Sequence, residues 1–219
     1  GAEDTHDFNI AIGSNALAVQ NAGADTHNVA IGHNAGTAVS TGIQNVIIGG
    51  LAGDSLTDAD FNIAIGHTAL GLDTLGSRSV AIGHSTLDAQ NFTTATNTYN
   101  VAVGHAAGSA ITTGVQNTLI GGLAGDVLSD ADFNVAIGYA ALSTDTLGSS
   151  SVAIGREALF TQNFTTATSS YNVAVGFQAG KAVTTATGQT LIGGLAGDAI
   201  TSGADNTAVG YQALTTNIT

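Results

Sequence analysis

The stretch Asn28-Val29-Ala30-Ile31-Gly32 decides the fold, because close copies of it return along almost the whole chain. Its glycine recurs twelve times, at Gly13, Gly32, Gly49, Gly66, Gly83, Gly104, Gly121, Gly138, Gly155, Gly176, Gly193 and Gly210. After a first spacing of 19, the spacings 17, 17, 17 and 21 repeat as a block of 72 residues. A fixed short period predicts a stack of similar units rather than one globular core. We call each unit a rung and count positions from its glycine, so that position −2 lies two residues before it.

The residues before the glycine are typical of a strand. Position −1 is always Ile or Val, position −3 is Ile, Val or Thr, and position −2 is mostly Ala. Such residues suit a pleated strand, and their adjacent or alternating spacing does not fit a helical stripe. The sequence therefore predicts an all-β fold, a parallel β-roll or β-solenoid of about twelve 17-residue rungs, forming one elongated domain over residues 1–219. Because residues 215–219 do not complete another rung, we expect a segment of a longer fibre.

The apolar character of both sides of this strand predicts a partner surface outside the rung. Alternate residues of a strand face opposite sides, and positions −3, −2 and −1 are all apolar, so both sides avoid water. One side faces the interior of the rung, and the other needs a second surface, most simply another copy of the chain. We assign position −2 to this interface, because alanine permits close approach. The predicted interface residues are Ala30, Ile47, Ala64, Ala81, Ala102, Leu119, Ala136, Ala153, Ala174 and Leu191. Where position −2 is large, position +1 is Gly, which we interpret as compensation within the rung.

Charge and composition exclude several classes of partner. The 16 acidic residues outnumber the three basic ones, Arg78, Arg156 and Lys181, and give a net charge of −13. Binding to phosphate backbones needs clustered Lys and Arg, so we expect no nucleic-acid partner. No apolar run approaches the roughly 20 residues of a membrane span, so no membrane insertion is expected. The absence of Cys excludes disulfides and thiolate metal sites.

Two sets of residues define the alternative of a metal-binding solenoid, although no cofactor is expected. The stretch 49–56, Gly-Gly-Leu-Ala-Gly-Asp-Ser-Leu, resembles the calcium-binding repeat of RTX β-rolls, and carboxylates suit Ca²⁺. Its aspartate and the equivalent residues of the later blocks are the candidates Asp54, Asp126 and Asp198. The second set follows the motif glycine directly and would ring a metal ion in a symmetric assembly. It consists of His33, His67, His84 and His105.

Two further functions have less support in the sequence. The pairs Thr112-Thr113 and Thr184-Thr185 suggest an ice-binding face, but such a face needs threonine on every rung. No combination of nucleophile, base and acid stands apart from the repeats, so we expect no enzyme.

The 21-residue spacings carry four extra residues, which we expect to bulge from the solenoid. Loops on a rigid scaffold are a common place for binding residues. Phe92, Thr93, Phe164 and Thr165 are therefore candidate receptor contacts. The alternative is that the two phenylalanines pack against the solenoid and only anchor the loops.

The repeats also resemble a known family. The stretches 28–32, 79–83 and 151–155, each followed by x-x-Ala or x-x-Thr, resemble the head repeats of trimeric autotransporter adhesins, the YadA-like heads. The stretch 206–214, Asn-Thr-Ala-Val-Gly-Tyr-Gln-Ala-Leu, resembles the related repeat of bacteriophage tail-fibre proteins. The resemblance implies a left-handed roll, a homotrimer, and a structural role in cell adhesion. Its place would be extracellular, on a bacterial surface or a virion tail fibre, with a cell-surface receptor or glycan as a further partner.

Overall fold

The computed structural model of the chain describes residues 8–23 and 25–216, and these residues form strands and loops without a helix. The chain divides into two compact units, Gly1–Ala106 and Ala107–Thr219. Each unit contains six rungs, so the predicted all-β class and the parallel β-solenoid of about twelve rungs are confirmed. The left-handed winding, the single domain over residues 1–219 and the trimer stay predictions. No helix in the described residues is long and apolar enough to cross a membrane.

The first unit contains one main parallel sheet and one short strand pair. The main sheet has the order β1-β2-β3-β4-β6-β8, and β5 pairs with β7 in parallel. The strands are β1 (Ile10–Ile12), β2 (Val29–Ile31), β3 (Val46–Ile48), β4 (Ile63–Ile65), β5 (Gly76–Ser77), β6 (Val80–Ile82), β7 (Thr96–Asn97) and β8 (Val101–Val103).

The second unit repeats this arrangement. Its main sheet has the order β9-β10-β12-β14-β15-β16, and β11 pairs with β13 in parallel. The strands are β9 (Thr118–Ile120), β10 (Val135–Ile137), β11 (Gly148–Ser149), β12 (Val152–Ile154), β13 (Thr168–Ser169), β14 (Val173–Val175), β15 (Thr190–Ile192) and β16 (Thr207–Val209). Every main strand therefore covers positions −3 to −1 of its rung, as the sequence predicts.

The motif glycine ends each strand because the backbone there is left-handed. Its φ ranges from +126° at Gly210 to +139° at Gly32, a region that side chains with a Cβ rarely adopt. Within each unit the glycine N–H also continues the ladder, as where Gly66 donates to the Ile48 carbonyl at 2.7 Å.

Position −2 lies in the interior, where large and small side chains compensate between neighbouring rungs. Ile47 is fully buried and lies against the glycines at position +4 of two neighbouring rungs. A Cβ on Gly36 would lie 2.9 Å from Ile47 Cδ1, and one on Gly53 would lie 3.4 Å from the same atom. Where position −2 is Ala64 instead, position +4 is the buried Leu70. The predicted compensation between positions −2 and +1 is wrong, because the partner of the large residue is the glycine at position +4.

A ladder of buried side-chain amides runs along position −4, where most rungs carry asparagine. Asn45 Nδ2 donates to the Ala59 carbonyl at 2.7 Å, and Asn45 Oδ1 accepts from the Asn62 backbone N–H at 2.9 Å. Each asparagine thus joins opposite sides of its own rung and also the next rung. The ladder satisfies backbone groups that are buried in a thin interior.

Candidate functional site

Positions −1 and −3 form the outer face of the strands, and this face is regularly apolar in each unit. Their side chains point away from the buried position −2 and are half-buried in most rungs. Ile120 and Ile192 retain 38% and 41% of their accessible surface. A continuous row of partly exposed Ile and Val is typical of a surface that contacts another molecule.

The residues that we predicted as the interface lie on the opposite side of the strand. All ten side chains are fully buried inside their own unit, so they are not accessible to a second copy. These are Ala30, Ile47, Ala64, Ala81, Ala102, Leu119, Ala136, Ala153, Ala174 and Leu191. Their assignment to the interface is wrong, because the large residues of this column fill the space over the glycines at position +4. A surface for self-association is instead available at positions −1 and −3.

The histidines after the motif glycine form an exposed column. The rings of His67 and His84 stack at 5.4 Å between centroids, and those of His84 and His105 stack at the same distance. His33 is exposed too, but Gly50 separates it from His67 by one rung. No group of three metal-ligating side chains in residues 8–23 and 25–216 is arranged to hold a metal ion. Metal binding by these histidines stays a prediction.

The three candidate calcium aspartates occupy equivalent half-buried turns and do not come together. Burial raises the pKa of Asp54 and of Asp126, and the nearby carboxylate of Asp88 adds to the rise at Asp54. One carboxylate oxygen, Oδ1, of both Asp126 and Asp198 is buried without a hydrogen-bond partner. A buried oxygen without a partner costs free energy, but one carboxylate does not supply the six or more oxygens that Ca²⁺ takes.

Sequence reasoning did not find the setting of Asp88. Burial raises the pKa of Asp88, whereas His67, His84 and a hydrogen bond from the Thr68 side chain lower it. The structure thereby places a carboxylate beside two stacked imidazoles. The sequence did contain a signal for this cluster. Position +5 is Asp54, Gly71 and Asp88 in three successive rungs, so a glycine lies between the two aspartates.

A second charged cluster in the second unit surrounds Glu157. Its carboxylate accepts from Lys181 Nζ at 2.7 Å, Gln178 Nε2 at 2.7 Å and Arg156 Nη2 at 2.9 Å. Two of the three basic residues of the chain therefore converge on one carboxylate. Hydrogen bonds from Lys181, then Gln178 and Arg156, lower the pKa of Glu157 to about 2.

The lowered pKa of Glu157 predicts that the folded chain loses stability in acid. Its pKa is about 2 in the folded chain against an ordinary 4.5, so its contribution to stability is complete above pH 4.5 and is lost as the pH falls toward 2. We expect the variant Glu157→Gln to melt below the wild type at neutral pH and to converge with it near pH 2. Melting temperatures of both proteins between pH 2 and pH 7 test this. A difference that stays constant across that range would contradict it.

The two bulging loops are anchored by two of the four residues that we predicted as receptor contacts. Phe92 and Phe164 are each only 7% exposed, whereas Thr93 and Thr165 are exposed. The buried carboxylate of Asp73 accepts from the backbone N–H of Phe92 at 3.0 Å, and Asp145 does the same for Phe164 at 2.9 Å. The two phenylalanines therefore anchor the loops, and receptor contact by Thr93 and Thr165 stays a prediction.

Comparison with known proteins adds no relative. No protein-family model, curated protein or solved structure matched this chain. The class that the fold itself defines is the parallel β-solenoid, with an apolar outer face on the strands of each unit.

Proposed function

We propose that this chain is a structural segment of an attachment fibre, in which three copies associate through the outer face of the strands. The observation that carries the proposal is the regular partial exposure of apolar side chains, mostly Ile and Val, at positions −1 and −3. The number of three copies, the extracellular place and the role in adhesion or in a tail fibre rest on the resemblance of the repeats.

The outer face is well suited to contact with an identical surface. Its side chains are β-branched and therefore stiff, so they lose little conformational entropy when they are buried. The backbone beneath them is held by interstrand hydrogen bonds, such as the one from Gly155 N to the Ile137 carbonyl at 2.7 Å. A face that is already rigid before contact does not need to be ordered by it.

The mass in solution tests the association directly. Sedimentation equilibrium of the wild type is expected to give three times the chain mass of 21.5 kDa. A monodisperse species of 21.5 kDa at high micromolar concentration would contradict the proposal.

Paired variants locate the interface. Ile137 and Ile154 are direct neighbours on β10 and β12, and both are half-buried on the outer face. Changing both to Asp places like charges against each other across the contact, and we expect the trimer to dissociate. The matched control is Thr165→Asp, an exposed loop position, which is expected to keep the mass of the wild type. Equal masses for the double variant and the control, with both folded by circular dichroism, would exclude this face as the interface.

A further inference from the structure

Position −5 carries exposed aromatic residues on a backbone that does not favour them. Phe61, Tyr99, Phe133 and Tyr171 all have left-handed φ values, of 61°, 52°, 60° and 52°. Bulky residues rarely adopt this region, whereas the glycine at the same position of a later rung, Gly188, adopts it freely. The left-handed φ is shared by other residues at position −5, such as Gln44 and Gln116, so it belongs to the rung and not to the rings. The exposure of large rings is the observation that suggests another purpose.

In the second unit two of these rings stand on either side of a serine. Phe133, Ser150 and Tyr171 occupy position −5 of the rungs that contain β10, β12 and β14, which are neighbours in the sheet. Two rungs separate the backbones of Phe133 and Tyr171 by roughly 10 Å, given the usual spacing of strands. The two side chains are 52% and 67% exposed.

The backbone of this position is fixed before any ligand arrives. The N–H of Phe133 donates to the Val115 carbonyl at 3.1 Å, and the N–H of Ser150 donates to the Asp132 carbonyl at 3.0 Å. Two rings on a fixed backbone lose little freedom on binding. Polar groups lie next to them in the chain, since Asp132 precedes Phe133 and the exposed Ser169 lies two residues before Tyr171.

The first unit has the same arrangement, but an arginine covers it. Arg78 takes the place of Ser150, and its guanidinium lies over the Phe61 ring at 4.5 Å. Its Nε also donates to Asn97 Oδ1 at 3.0 Å, which holds the side chain in place. Phe61 is accordingly 37% exposed, against 52% for the equivalent Phe133. The second unit therefore presents an open version of this surface, and the first unit presents a version in which one of the two rings is covered.

We propose that Phe133, Ser150 and Tyr171 bind an extended, uncharged β-1,4-linked polysaccharide. The apolar faces of pyranose rings stack on aromatic side chains, and the flanking hydroxyl and carboxylate groups take up sugar hydroxyls. In such an extended chain, two aromatic rings that are two rungs apart match every second sugar. The net charge of −13, with no basic residue at this position in the second unit, disfavours an acidic polysaccharide. This binding does not depend on association of the chain with further copies.

Retention on insoluble polysaccharides tests the site. The wild type is expected to bind microcrystalline cellulose or chitin with saturation and not to bind granular starch, which is α-linked. Comparison of cellulose with chitin shows whether an acetamido group is needed. Phe133→Ala and Tyr171→Ala are each expected to weaken retention about tenfold, since each removes one buried ring from the complex. Equal retention of either variant and the wild type would overturn the proposal.

The covered surface of the first unit supplies an internal control. Ser150→Arg is expected to abolish retention, because it copies the arginine of the first unit. In titrations with a soluble oligomer of the same polysaccharide, Arg78→Ser is expected to raise the number of oligomers bound per chain from one to two, because it opens a second surface. Circular dichroism establishes that each variant is folded. If neither substitution changed the binding of polysaccharide, or if the wild type bound neither polymer, the inference would be refuted, whatever the oligomeric mass.

Discussion

Gly138→Ala is expected to unfold the second unit. Gly138 has φ +133°, and a Cβ built on it would lie 2.6 Å from both the carbonyl carbon and the oxygen of Gly155 and 3.0 Å from Arg156 N. All three atoms belong to the backbone of the next rung, so they move only if the ladder between β10 and β12 separates. Strain at such a φ alone costs on the order of 1–3 kcal/mol. With the clash added, we expect a loss of more than about 4 kcal/mol, a large share of the stability of a domain.

Two other glycines separate the causes of this effect. Gly210 has φ +126°, but a Cβ there would meet nothing within 4 Å, so Gly210→Ala tests the backbone strain without the clash. Gly122 has an ordinary φ, and the nearest neighbour of a Cβ there would be Tyr139 Cδ2 at 3.7 Å. Gly122→Ala therefore introduces neither the strain nor the clash and serves as the control. Denaturation by urea, followed by circular dichroism, should rank the free energies of unfolding as wild type close to Gly122→Ala, then Gly210→Ala, then Gly138→Ala. Equal losses for all three variants would show that contact between rungs does not set the need for glycine.

The strands and their pairing follow from the sequence because they depend on local chemistry and on a fixed period. Ile and Val at positions −1 and −3 favour strands, and equal spacing brings each strand beside the next in register, as for Val135 and Val152. The side of the strand that faces inward does not follow from three consecutive apolar residues. A signal was nevertheless present, since Ile47 at position −2 comes with Gly53 at position +4, and Ala64 comes with Leu70. Only residues that share one interior exchange volume in this way.

The candidate sites depend on side-chain positions that a repeat does not specify. The sequence predicts that His67, His84 and His105 share one column, but not that their rings stack. It predicts the bulging loops, but the burial of Phe164 depends on Asp145, which lies 19 residues earlier. The cover that Arg78 forms over Phe61 depends likewise on contact between neighbouring rungs. Such contacts come from adjacent rungs, so a single aligned column does not reveal them.

Asn134→Ala is expected to cost the second unit about 3–5 kcal/mol, because two buried backbone groups would lose their partners. Asn134 is fully buried, its Nδ2 donates to the Gly148 carbonyl at 2.9 Å, and its Oδ1 accepts from the Ser151 N–H at 2.9 Å. Both partners are themselves buried, so water does not replace the lost hydrogen bonds without opening the rung. Asn163→Ala is the matched control, since Asn163 is exposed and accepts only from the Thr146 hydroxyl at 3.2 Å. The control is expected to change stability by less than about 0.5 kcal/mol.

A neighbouring rung indicates that a side-chain amide, and not asparagine in particular, is needed beside position −4. Position −4 of the next rung is Ser151, and there Gln162 supplies the amide, with its Nε2 donating to Ser151 Oγ at 2.9 Å. Gln162 Oε1 in turn accepts from Asn172 Nδ2 at 2.8 Å, so the ladder continues through the serine. Asn134 has no such substitute, because the residue that corresponds to Gln162 in its own rung is Asp145. Amide hydrogen exchange at Ser151 therefore distinguishes the causes: loss of its protection in Asn134→Ala, with β15 still protected, places the defect in this ladder. Unchanged protection of Ser151, together with the stability of the wild type, would mean that strand pairing alone holds the rungs together.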